Sequence, residues 1–194
     1  MNFYVFLLIA YLSGSIPFAF IIYYLRTGED IRKKGSGNPG GSNVMREAGL
    51  IYGIITAVLD ISKAFVPVII AKHYFGISNY LFFIWLAAVL GHMFSVFLLF
   101  KGGKGVATTV GGIMAIDWRI LLVFISVFLV VILISKIASI SSLTASLFLI
   151  IAHFYFYKTA FILPVLIIVT LIFIKHKENI KRLVRGEERR LFRK

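Results

Sequence analysis

The sequence predicts an all-α integral membrane protein, on three observations. Of its 194 residues, 60% are hydrophobic and the mean hydropathy is +0.95, against roughly 45–50% apolar content in a soluble domain. Apolar runs at 2–24, 50–71, 79–100, 120–135, 137–157 and 159–174 mostly approach the ~20 residues a helix needs to cross about 30 Å of hydrocarbon. Nearly all the basic residues fall between or after those runs, where cytoplasmic loops carry them.

The first run lacks a basic n-region, is about twice the length of a signal h-region and carries Ser13-Gly14-Ser15 and Pro17; we read it as a retained helix. Residues 102–119, GGKGVATTVGGIMAIDWR, are harder to place. Val106 to Ile116 is eleven residues, roughly 16 Å as a helix and too short to span alone. Fusing it with 120–135 would bury Asp117 and Arg119 in the bilayer, at several kcal/mol. Fusion would also put the two most basic segments, 25–49 and 175–194, on opposite sides. Seven crossings, with the N-terminus outside and the C-terminus cytoplasmic, gather 17 basic residues inside and leave Lys72, Arg119 and Lys158 outside. The fourth crossing is then short, tilted or partly re-entrant. The expected organisation is one membrane domain over 1–194, with inner loops 25–49, 101–105 and 136–142 and an inner tail at 175–194.

The sequence has no cysteine, which removes disulfides, thiolate nucleophiles and Cys metal sites together. A net charge of +13 suits anionic lipid and anionic substrates; in a chain this apolar we expect no nucleic-acid partner. A cationic set poor in carboxylates does not suit a divalent metal, and neither metal nor cofactor is expected.

Four polar clusters share the inner face in this topology: Gly35–Arg46, Gly91–Thr109, Ser139–Ser142 and His176–Arg182. The nine residues Gly35 to Asn43 are only Gly, Ser, Asn and Pro. Gly35–Gly40 matches G-x-G-x-x-G, but no strand precedes it, so the dinucleotide reading fails. Two readings remain: a flexible loop, or a loop whose backbone N–H groups converge on an anion, aided by Asn38, Ser42, Asn43 and a charge clamp from Arg46. In KGGKG (101–105), glycines on both sides of Lys104 free the backbone beside a cation, while the fit to a nucleotide-binding P-loop is superficial. His92 lies on an apolar helix about two turns before the surface; it is either a packing residue or an intramembrane functional group. Asp60 and Lys63, at i and i+3, can pair as structure or as chemistry. His73 and His153 read as surface and structural residues. The tail reads as an amphipathic cationic anchor on the bilayer, with His176, Asn179 and Arg182 on one helical face, able to close a pocket. Together these groups suit phosphate.

SGSIPFAF (13–20), GSGNPGGSNVMR (35–46), D-x-x-K (Asp60, Lys63), GHMFSVFLLFKGGKGVAT (91–108) and H-x-E-N-I-x-R-L (176–183) resemble the motifs of the bacterial acyl-phosphate:glycerol-3-phosphate acyltransferases of the PlsY type, over nearly the whole chain. Gly41 and Ser42 stand where that family usually has Ala and Thr, and Ser95 where it usually has Pro. The resemblance implies a multi-pass enzyme of the bacterial inner membrane with a cytoplasmic site. It implies transfer of a fatty acyl group from acyl phosphate to the sn-1 hydroxyl of glycerol 3-phosphate, giving 1-acylglycerol 3-phosphate and phosphate, with the acyl-phosphate-producing enzyme as a possible partner. The implied catalytic residues are His92, Lys104 and Asn179. Ser36, Asn38, Gly40, Gly41, Ser42, Asn43, Arg46, Ser142 and His176 are implied substrate-binding residues. The glycine loop would hold the acyl phosphate, and Lys104, Arg46, Ser142, His176 and Asn179 the glycerol phosphate, unless the two are exchanged. The H-x-x-x-x-D dyad of soluble acyltransferases is absent, since Phe97 and Lys158 lie five residues after His92 and His153. The alternative is a transporter of phosphorylated metabolites, because broken helices flanked by glycine and cations also line anion pathways.

Overall fold

The computed structural model describes residues 2–191; they form helices and turns, with no strand among them. Ten α-helices follow in order: α1 (Phe3–Ser15), α2 (Phe18–Thr27), α3 (Gly41–Ala48), α4 (Leu50–Phe75), α5 (Asn79–Met93), α6 (Val106–Ile116), α7 (Trp118–Ser135), α8 (Ala138–Tyr157), α9 (Ile162–Lys175) and α10 (Lys177–Val184). Five segments are long and apolar enough to cross a membrane: Phe3–Thr27, Leu50–Phe75, Asn79–Leu98, Trp118–Ser135 and Ala138–Tyr157. Two shorter apolar helices, α6 and α9, complete the set. Close contacts divide the chain into two compact units, Met1–Ile116 and Asp117–Lys194.

In the first unit the opening apolar run is two helices rather than one. Pro17 has no N–H and pushes Ile16 out of helical geometry, so α1 ends at Ser15 with Ile16 at φ −56° and ψ 120°. Inside α4, Pro67 cannot donate to the carbonyl of Lys63, and the Ser13 hydroxyl donates there instead at 2.7 Å. α1 packs on both α4 and α5, and α4 also packs on α6. Small residues make the α1–α5 contact close: a Cβ at Gly14 would run into the Ala88 carbonyl, and one at Gly91 into the Tyr11 carbonyl. This is how helices associate where lipid offers no hydrophobic drive.

The short α6 lies along the later part of α4. Gly111 faces the Ile61 carbonyl, and Lys72 donates to the carbonyls of Ala115 and Ile116 at 3.0 and 2.9 Å. Lys72 thereby satisfies acceptors that the end of α6 leaves open, and Thr108 to Ile113 are buried without a break. An eleven-residue helix is thus sheltered by protein rather than exposed to lipid.

In the second unit α7 pairs with α8, α8 with α9, and α9 meets α10. Asp117 caps α7 by accepting from the Arg119 N–H at 2.9 Å. Its other oxygen accepts from the Arg119 guanidinium at 2.7 Å and the Tyr157 hydroxyl at 2.9 Å. The bulky variant Gly91→Leu is expected to force α1 from α5 and lower the thermal midpoint of the detergent-purified protein by roughly 5 °C or more; an unchanged midpoint would mean the crossing is not tight.

Candidate functional site

The polar centre of the first unit is a buried ion pair. Lys63 Nζ lies 2.8 Å from Asp60 Oδ1, and both side chains are 3% exposed. Removing either partner of such a pair costs about 3–5 kcal/mol, because the other charge stays buried. The ammonium has a further acceptor: it donates to the Ile16 carbonyl at 3.0 Å, in the break that Pro17 creates. The neighbouring Ser15 carbonyl accepts from the Ser95 hydroxyl at 2.5 Å, and the Tyr11 hydroxyl donates to the Phe94 carbonyl at 2.8 Å. The α1–α2 break and the end of α5 are thereby joined around Asp60 and Lys63.

His92, on the last turn of α5, completes the cluster. Its Nδ1 is 3.6 Å from Asp60 Oδ1, so the carboxylate attracts that side of the ring. Its Nε2 faces the glycine loop, where a Cβ on Gly103 would collide with it and would also reach the Pro39 carbonyl. The Gly103 N–H donates to the His92 carbonyl at 3.0 Å. A small cavity lined by Ser15, Pro39, Asp60, Lys63, His92 and Gly103 lies here. The Ser15 hydroxyl is buried and has no hydrogen-bond partner. The structure therefore brings together His92, the turn at Pro39 and the KGGKG loop, three features widely separated in sequence.

The first glycine loop is ordered by its own polar residues. Asp30 caps a short 3-10 turn at Ile31–Lys33 and pairs with Arg32 at 2.6 Å. That contact outweighs the cost of partial burial and holds the Asp30 carboxyl below its ordinary range. Asn43 is buried: Oδ1 accepts from the Ser36 N–H at 3.0 Å, while Nδ2 donates to the carbonyl of Lys34 at 3.1 Å and reaches that of Ile31 at 3.5 Å. Both ends of its amide are engaged in folding the loop. Gly40 precedes α3 as its cap and its N–H donates to the Asn38 carbonyl at 3.0 Å. The Asn38 N–H lies 3.5 Å from the Ser36 hydroxyl. Gly41 sits against the Gly53 backbone, so the larger Ala at this position would press on α4. Ser42 is exposed, and Arg46 and Lys104 are half-buried.

The second unit carries the remaining residues. Ser142 is buried in α8. His176 is buried at the α9–α10 junction, its Nδ1 2.7 Å from the Ile172 carbonyl, and a ring N–H donates there. Asn179 is buried in α10 and donates to Glu188. Glu188 also accepts from Ser139 and Arg182. Burial pushes its carboxyl up, but the hydrogen bonds from Asn179, Arg182 and Ser139 prevail and hold it below the ordinary glutamate range. The sequence reading missed Glu188, which is masked by the surrounding arginines, and the Asp60–His92 contact, for which thirty-two residues of separation leave no local signal.

A family model described as glycerol-3-phosphate acyltransferase matches residues 4–186. The chain belongs to the glycerol-3-phosphate acyltransferase family. It is 44% identical over 190 residues to the glycerol-3-phosphate acyltransferase of Pelagibacter ubique, covering 97% of each chain. It is 37% identical over 192 residues to that of Ehrlichia canis, covering 98% of this chain and all of the relative. Two solved structures of PlsY (YgiH), an integral membrane glycerol 3-phosphate acyltransferase, match it. The glycerol 3-phosphate form does so with a TM-score of 0.93 at 41% identity, over 97% of this chain and 94% of the other. The lysophosphatidic acid form does so with 0.90 at 39%, over the same shares. The chain is thus a multi-pass membrane acyltransferase of phospholipid synthesis, and the transporter alternative falls away. Gly103→Ala is expected to displace His92 and lower turnover about tenfold or more in the purified enzyme; near-normal turnover would remove that contact from the catalytic geometry.

Proposed function

We propose that this enzyme takes its acyl group from acyl phosphate and passes it directly to the sn-1 hydroxyl of glycerol 3-phosphate. The observation that carries this reading is the assembly of His92, the Pro39 turn and the Lys104-bearing glycine loop at one cavity, with no cysteine to form a thioester. An acyl phosphate is already activated, so positioning and charge stabilisation suffice.

The glycine loop, with Gly40, Gly41, Ser42 and Asn38, would cradle the acyl phosphate through backbone N–H groups at the start of α3. Ser36 and Asn43 would serve that loop indirectly, as its internal braces. Lys104 and Arg46 supply positive charge for the phosphate groups. Ser142, His176 and Asn179 would address glycerol 3-phosphate; the solved relative in its glycerol 3-phosphate form supports that acceptor. His92, oriented by Asp60, would accept the proton of the attacking hydroxyl or orient it, and the departing phosphate offers an alternative base. The carbonyl carbon gains the C–O bond to glycerol as the C–O bond to phosphate breaks, and the hydroxyl proton leaves to that base.

Seven crossings with an outer N-terminus and a cytoplasmic C-terminus place these groups on the cytoplasmic face of the inner membrane; the distribution of basic residues supports this. Under this reading 1–194 works as one membrane domain, and the enzyme that makes acyl phosphate is its natural upstream partner. Purified protein given acyl phosphate and glycerol 3-phosphate is expected to release inorganic phosphate and form 1-acylglycerol 3-phosphate, with Lys104→Ala at least about tenfold slower. Equal rates with an acyl-CoA donor, or near-normal turnover in Lys104→Ala, would contradict the assignment.

A further inference from the structure

Three polar groups around the small cavity of the first unit are left short of partners. The Ser15 side chain, at the end of α1, is 1% exposed, and its hydroxyl has no hydrogen-bond partner among the described residues. Asp60 Oδ1 is likewise buried and receives no aligned hydrogen bond; Lys63 Nζ approaches it at 2.8 Å as charge to charge. The Lys63 ammonium has three N–H groups, one of which donates to the Ile16 carbonyl at 3.0 Å. Ser15, Asp60 and Lys63 line one cavity, which His92, Pro39 and Gly103 also line. Its volume is about 10 Å³, room for one water molecule and for nothing larger. A buried water makes about three hydrogen bonds to groups that otherwise lack them, and a hydroxyl, a carboxylate oxygen and an ammonium form such a set. A hydroxyl that served packing alone would be better replaced by an apolar group, which brings no buried polar atom.

We propose that this cavity is a single-water site, and that Ser15 is a positioning residue acting through the water on Asp60. The donors and acceptors balance. The Ser15 O–H and a Lys63 N–H donate to the water oxygen and fill its two lone pairs, while one water O–H donates to Asp60 Oδ1. The second water O–H is left for the side where the His92 ring and the Pro39 carbonyl crowd Gly103. Asp60 Oδ1 stands 3.6 Å from His92 Nδ1, beyond the length of a direct hydrogen bond. The water therefore decides where the carboxylate rests between Lys63 and His92. Without it the carboxylate turns fully onto the ammonium, and the imidazole loses the charge that orients it.

The inference rests on His92 acting in the reaction, and the experiment keeps the two apart. Wild type, Ser15→Ala, Ser15→Cys and Ser15→Gly are purified in detergent and phosphate release is followed against each substrate, alongside thermal midpoints. The wild type is also crystallised at a resolution that shows ordered water. Density for one water is expected within about 3.2 Å of Ser15 Oγ, Lys63 Nζ and Asp60 Oδ1. Ser15→Ala is expected to lower kcat about fivefold or more, with both KM values changing less than about twofold. Ser15→Cys is close in size but only a weak donor, and is expected to match it. Ser15→Gly leaves room for a second water in place of the hydroxyl and is expected to recover about half of the lost kcat or more. If Ser15→Ala does not fold, Ser15→Cys against Ser15→Gly gives the same comparison. Absence of that density would overturn the water site. A loss that grows with the volume removed, so that Ser15→Gly falls below Ser15→Ala, would make Ser15 a packing residue and overturn its positioning role. A loss seen in KM rather than kcat, or in the midpoint alone, would overturn that role equally. A fully active His92→Gln would instead sink the parent assignment of His92, with the density still deciding the site.

Discussion

The first unit depends on a charge that lipid cannot solvate. Lys63 sits in a transmembrane helix with its ammonium almost fully buried, and two prolines create the means of holding it. Pro17 breaks the first apolar run and leaves the Ile16 carbonyl open to the ammonium. Pro67, four residues after Lys63, leaves the Lys63 carbonyl open to Ser13. Asp60 supplies the counter-charge. Each of these features would be destabilising alone, since a free carbonyl, a broken helix and a buried cation all cost energy in hydrocarbon. Placed together they satisfy one another, and they bind α1, α4 and the end of α5 into one frame.

The proposed site is mounted on that frame. Asp60 serves both Lys63 and His92, so the charge that stabilises the fold also orients the imidazole. The other face of the ring meets Gly103, a position where any side chain would intrude. The two glycine loops do different work. The loop at 101–105 gains closeness to His92 by lacking side chains, whereas the loop at 35–43 is internally braced by Asn43. Composition marks both as flexible, but the second is fixed by hydrogen bonds that composition does not reveal.

Much of this was legible in the sequence because lipid imposes strong rules. Run length and hydropathy mark the long helices, and the i, i+3 spacing of Asp60 and Lys63 marks their pairing. The resemblance to a known family pointed to the acyltransferase. Helix ends at Ser15 and Met93 were not legible, since run length alone reads 2–24 and 79–100 as single helices, whereas the first run breaks at Pro17 and α5 stops at Met93. Asn43 was assigned to substrate, because an amide in a glycine loop reads identically whether it faces a ligand or the loop's own backbone. Glu188 was lost in a tail whose net charge is strongly positive. In each case the deciding contact joins residues far apart in sequence or folds a segment back on itself, and hydrophobic periodicity carries no record of either.

We propose that the loop before α3 and the chain after α10 both face the cytoplasm, which the distribution of basic residues supports. The absence of cysteine makes this directly measurable. Single cysteines at Lys34 and at Arg185, each tested in an active variant, would be probed in intact cells with a membrane-impermeant thiol reagent, before and after permeabilisation. The account predicts that both are protected until the membrane is opened and are then labelled equally. Labelling of either one in intact cells, with the other protected, would put the two ends in different compartments and contradict it.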